Sequence, residues 1–159
     1  MNGPLPSTRA FISDIPSLPT DSKIRFLGCV KTYHISSGHL VLEHNYPRAK
    51  KKPQPKQQKQ EPPSIVVDIN AVLETVTWEQ LCVGAWVTVL GYVRRGFSDA
   101  AAAATGKGSS TASPASPSSN SVSVEAVVIL SAGAVNLGEY ERILYDAQEV
   151  EKMRLKGAV

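Results

Sequence analysis

Five stretches of the chain read as strands, the clearest of them with apolar residues recurring at a period of two, the period of a half-buried strand. Lys23–Tyr33 is the first. It is about eleven residues, long for a strand, and Gly28 sits near its middle. Glycine inside a strand often marks a bend, so this strand can serve both halves of a barrel. His39–His44 is the second, with Leu40 and Leu42 on one face. Ser64–Asn70 is the third, with Ile65, Val67 and Ile69 aligned. In the fourth, Ala85–Arg95, the small face of Val87, Val89, Gly91 and Val93 is assigned inward, because a narrow barrel takes β-branched residues well. Gly91 would be a second bend. Val122–Ser131 is the fifth.

Between the third and fourth strands the period changes. Thr77–Leu81 reads as one or two helical turns, capped by Thr77 with Gln80 three residues on and stopped by Gly84. Asn136–Lys156 reads as a long helix: Asn136 is a good N-cap and Glu139 can complete a capping box. Lys152, Arg154 and Lys156 suit its C-terminal dipole, and Gly157 ends it. Phe11–Ile15 is a short apolar lead-in closed by Pro16 and Pro19. Pro47–Pro63 and Ser98–Ser121 read as flexible insertions. The order predicts an all-β fold, a five-stranded OB-fold barrel, as one domain over residues 1–159. A short helix lies between strands 3 and 4, and a long C-terminal helix follows strand 5. An SH3-like barrel is the alternative, and the helical segment before the fourth strand argues against it.

Setting the insertions aside leaves about 118 of the 159 residues, enough for one core. The net charge is +3, but Pro47–Pro63 alone carries +5, so the rest of the chain is −2. Basic character therefore belongs to one loop, which weakens any reading of the barrel as a basic nucleic-acid groove. No run of about 20 apolar residues exists, so no membrane span is expected. Met1–Ala10 lacks an apolar signal core, so export is not expected. Cys29 and Cys82, in apolar contexts, read as reduced, buried thiols of an intracellular protein.

Catalytic chemistry finds little support. His39 and His44 are five apart on one strand and point to opposite faces. Neither a metal site nor a cofactor site is expected, and no Ser, Cys or Lys sits in a nucleophile motif. Asp68 and Glu43 have no evident pairing. Nucleic-acid binding needs stacking aromatics and a basic track. The candidates are Tyr33, Tyr46, Tyr92 and Phe97, with Lys23, Arg25, Lys31, Arg94 and Arg95 and the loop residues Lys50, Lys51 and Lys52. Weak, sequence-indifferent contact with single-stranded DNA is expected of the chain alone.

The last helix is more informative. Leu137, Tyr140, Ile143, Leu144, Ala147, Val150 and Met153 cover an arc of roughly 200° at about 100° per residue. A helix that only seals its own barrel needs roughly 100°. One side can pack on the barrel, leaving another for a second protein. Tyr140, Ile143, Leu144, Ala147, Val150, Met153 and Arg154 are the expected partner contacts.

Several segments resemble the Ten subunit, the smallest member of the telomeric CST complex. They are Ser22–Tyr33 (SKIRFLGCVKTY), Asp68-Ile-Asn, Gly84–Val93 (GAWVTVLGYV) and Val135–Tyr140 (VNLGEY). The Ser13-Asp-Ile-Pro16 lead-in is similar to fungal members. The resemblance covers most of the chain outside the insertions. It implies an OB fold, a nuclear telomeric location, pairing with the Stn subunit, and single-stranded telomeric DNA bound by the larger CST assembly, which assists lagging-strand synthesis. By position, Arg25, Val150 and Arg154 fall where it implies partner contacts. Two other readings stay open: a general single-stranded nucleic-acid-binding OB protein like the small subunit of replication protein A, and an enzyme accessory domain.

Overall fold

The computed structural model describes residues 3–48, 61–96 and 121–157. Its sheet has six strands: β1 (Thr8–Arg9), β2 (Lys23–His34), β3 (His39–Glu43), β4 (Ser64–Asp68), β5 (Trp86–Gly96) and β6 (Ser121–Ser131). The last five pair in a ring, β2–β3–β4–β6–β5 and back to β2. β4 and β6 run parallel; the other pairings of the ring are antiparallel. This is the expected OB architecture, with one strand more than the alternation predicts. β1 is only two residues long and lies parallel to the start of β2.

β2 closes the ring because it bends. Its first half pairs with β5 up to Cys29, and its second half pairs with β3 from Cys29 onward. Gly28 sits at the changeover, where a Cβ would stand 2.9 Å from the Leu42 Cβ and 3.2 Å from Ile12. No larger residue fits there without moving both neighbours. Gly91 answers a second constraint, since a Cβ there would collide with the Glu125 carbonyl oxygen.

The small-residue face of β5 does point inward: Val87, Val89 and Val93 are fully buried. They meet Ile24, Phe26 and Val30 of β2, Leu40 and Leu42 of β3, Ile65 and Val67 of β4, and Val124, Ala126 and Ile129 of β6. Simple alternation fails on β6. Leu90 pairs with Val128 and Gly91 with Ala126, so Val127 is an extra residue. The bulge reverses the inward parity, and Val127, Val128 and Leu130 all reach solvent.

The lead-in is part of the core. Residues Ile12–Ser17 form a 3-10 helix whose Ile12 and Ile15 are buried. Three acceptors hold it to Arg95, whose guanidinium donates to the carbonyls of Pro16 (2.7 Å) and Leu18 (2.6 Å) and to the Thr20 hydroxyl (3.0 Å). A second 3-10 turn, Asn70–Val72, and the short helix α1, Trp78–Leu81, fill the β4–β5 connection. The long helix α2 spans Leu137–Gly157, and Asn136 caps it by accepting from the Glu139 N–H at 3.2 Å. The two thiols depart from expectation. Cys29 is half-buried and Cys82 is exposed, its Sγ donating to the Trp78 carbonyl at 3.3 Å.

Candidate functional site

Two stripes run along α2. Leu137, Glu141, Leu144 and Gln148 lie within roughly 60° of one another, and Tyr140, Ile143, Ala147, Val150 and Arg154 within roughly 80°, centred about 120° away. The first stripe meets the barrel. Leu137 helps line a cleft of about 230 Å³ with Trp86, Cys29 and Pro62. Leu144 is only 5% exposed. Gln148 donates to the Asp14 carboxylate at 2.9 Å, which also accepts the Phe11 N–H, so the helix is tied to the lead-in.

Glu141 makes the least expected contact. Its carboxylate is buried beside His44, which is 2% exposed, with Nε2 to Oε1 at 2.9 Å. A carboxylate only accepts, so Nε2 carries the proton and donates. Arg48 approaches the same carboxylate at 3.3 Å from the solvent side. Aromatic rings enclose the pair: Trp86 meets His44 edge-on at 5.5 Å, and Tyr46 stacks on Phe11 at 4.1 Å. Tyr140 lies beside them, 6.3 Å from His44 between centroids. Burial pushes the Tyr140 hydroxyl up, while Arg9, the Leu27 backbone and Arg25 pull it back. Burial also raises the Tyr46 hydroxyl, reinforced by the carboxylates of Glu141, Asp14 and Asp146.

No described residue covers the second stripe. Ile143 is 51% and Val150 66% exposed, and Ala147 and Arg154 also face solvent. Met153 is exposed too, near the far edge of this stripe. Tyr140 is half-buried and bridges the two stripes. Arg25 and Arg9 are exposed, directly opposite each other in the β1–β2 pairing, and near Tyr140. Of the expected partner contacts, Leu144 is the exception: it faces the barrel, because the helix turns that side onto the aromatic seam.

The expected DNA contacts do not form one track. Lys23 and Tyr92 are cross-strand neighbours, and the Arg94 guanidinium lies 5.5 Å from the Tyr92 ring. Arg94, however, pairs with Glu125 at 2.9 Å and with Asp21, and the Glu125 hydrogen bond holds its proton more tightly. Arg95 is occupied by the lead-in. Lys31 is 3.8 Å from Glu43 on the other half of β2, which gives Glu43 a partner that spacing alone did not reveal. Tyr33 packs against the core rather than standing free, because the irregularity between Val30 and Thr32 resets the parity of β2. Tyr46 lies against Phe11 in acidic surroundings. Lys50, Lys51, Lys52 and Phe97 lie outside the described residues, as do 49–60 and 97–120, most of both expected insertions.

The sequence reading missed the His44–Glu141 pair and the Arg95 clamp. The available signal was Glu141 itself, a carboxylate in line with Leu137 and Leu144. A charge on an inward helix position requires a buried partner.

Residues 1–145 match the family described as Ten1, telomere capping, CST complex subunit. The chain belongs to that family. The match ends inside α2, so Ala147, Val150, Met153 and Arg154 lie beyond it. Two S. pombe structures are similar in fold. A chain of the Stn1–Ten1 complex superposes with a TM-score of 0.58 at 20% identity, covering 92% of this chain and 96% of that one. The telomere capping protein Ten1 gives 0.56 at 20% identity, covering 91% and 99%. No curated protein sequence matches the chain. Among the described residues no cluster of three His, Cys, Asp or Glu could hold a metal ion, and no helix is long and apolar enough to cross a membrane.

Proposed function

We propose that this Ten1-family subunit caps telomeres as the small member of a heterodimer with an Stn-type OB subunit, docked on the uncovered stripe of α2. The observation that carries this reading is the stripe of Tyr140, Ile143, Ala147 and Val150, preformed on a helix whose other side is committed to the barrel. Arg9 and Arg25 beside Tyr140 extend the surface onto the β1–β2 edge. The similar S. pombe complex holds a Ten1 chain together with Stn1, which agrees with such a pairing. The chain acts by binding rather than by catalysis, in the nucleus at telomeres.

Single-stranded telomeric DNA is contacted weakly by the chain alone and held mainly by the assembly. Arg94 and Lys31 are paired with carboxylates, and Arg95 is taken up by the lead-in. The densest run of cations in the sequence is the Pro47–Pro63 segment, six Lys and Arg against one Glu. Co-expression with an Stn-type subunit tests the reading: a 1:1 complex by mass that survives gel filtration is expected. Separate migration of the two chains, with tight DNA binding by the isolated chain at physiological salt, would favour a general single-strand-binding protein.

A further inference from the structure

The β4–β5 connection exposes large apolar side chains that no described residue covers. Trp78 is 74% and Val83 76% exposed, with Leu73 also reaching solvent. Val76 and Leu81 pack against the core, so the connection is anchored while its other side faces out. The β2–β3 turn belongs to the same end of the barrel. Asn70 Nδ2 donates to the Ser37 carbonyl at 2.9 Å, and the Ile69 N–H to the Gly38 carbonyl at 3.0 Å. That turn carries Ile35, also exposed.

The charge at this end is one-sided. The connection, residues 69–85, contains no Lys or Arg but two acids, Glu74 and Glu79, and Asp68 lies just before it. The Asp68 carboxylate is taken up by Asn70. Glu74 and Glu79, next to Leu73 and Trp78, form no ion pair among the described residues. An exposed Trp offers a large anchor of the kind that dominates protein interfaces. Flanking carboxylates repel phosphates and attract Lys and Arg. A second copy of the chain fits poorly, because a symmetric contact would bring the same carboxylates together.

We infer that this end of the barrel is a second docking surface, distinct from α2. It takes a short segment of another protein whose large apolar side chains are flanked by Lys or Arg. The test uses the full chain bound to its Stn-type subunit and a fluorescent peptide with two Leu and one Trp between Lys pairs. A matched peptide carries Glu in place of Lys. Anisotropy should show binding of the Lys peptide, weakened about tenfold or more by Trp78→Ser. The double variant Glu74→Lys/Glu79→Lys should lose the Lys peptide and gain the Glu peptide. Heterodimer affinity should be the same in all variants. The inference is overturned by no binding of the Lys peptide, by equal binding to Trp78→Ser, or by displacement with a single-stranded oligonucleotide. Self-association that Trp78→Ser dissolves would assign the surface to a second copy and overturn it as well.

Discussion

The two halves of α2 differ in what surrounds them. From Leu137 to Gln148 the helix is fastened at four places: the Leu137 cleft, the Glu141–His44 pair, buried Leu144 and the Gln148–Asp14 bond. From Glu149 onward its side-chain polar contacts among the described residues are internal, Lys152 to Glu149 at 2.8 Å and Arg154 to Glu151 at 3.1 Å. Val150, Met153 and Leu155 stand in solvent. A free helix of nine residues would be marginal in water, because nucleation is unfavourable. Here the fastened half supplies the nucleus and the free half propagates from it. The barrel thus presents an ordered apolar stripe at low additional cost, and ordering before binding raises affinity.

Changes to the fastened half should reduce stability, and changes to the free half should reduce association. The largest effect is expected from Glu141→Ala, which strands buried His44 and releases Arg48; about 3 kcal/mol of unfolding free energy should be lost, read by chemical denaturation. Leu144→Ala should cost about 2–3 kcal/mol by the same measurement. Partner affinity should weaken in both only as far as the helix is displaced. If Leu144→Ala left stability unchanged, the division into two stripes would be wrong. Arg95→Ala should cost about 1–2 kcal/mol by removing the lead-in's donors, while DNA affinity stays near that of the parent chain. A large loss of DNA binding without a loss of stability would return Arg95 to a nucleic-acid role.

The smallest effect concerns pH. The Tyr140 and Tyr46 hydroxyls are raised from 10.0, chiefly by burial. The folded state therefore keeps protons that the unfolded chain gives up. Stability from these groups is complete below pH 10 and is lost as pH rises through the folded values. Melting temperatures between pH 8 and 11 should fall at the alkaline end, and less steeply in a Tyr46→Phe/Tyr140→Phe variant.

The strands were legible because each has one face buried, which writes a period of two into the sequence. Gly28 and Gly91 marked the bend and the close approach that close the ring. The β6 bulge was not legible, since Val127, Val128 and Leu130 offer no polar residue to show which face is outside. The anchoring of the lead-in was not legible, because its anchor, Arg95, lies about eighty residues away and resembles any surface cation. The free stripe could be read from the width of the apolar arc, but its division could not. Leu144 and Ile143 are adjacent and similar, and the contacts of Glu141 with His44 and of Gln148 with Asp14 decide which of them turns inward.

The reading stands or falls on whether the free stripe of α2 is a protein interface. The direct measurement is the affinity of the Val150→Asp variant for an Stn-type subunit by calorimetric titration, with its melting temperature measured alongside. Val150 is 66% exposed, so the melting temperature should stay within about 2 °C of the parent, as for other exposed substitutions. Affinity should fall by about thirtyfold or more, the loss of an apolar anchor at an interface centre. An unchanged affinity in a fully folded variant would contradict the claim and move the partner to another face of the barrel.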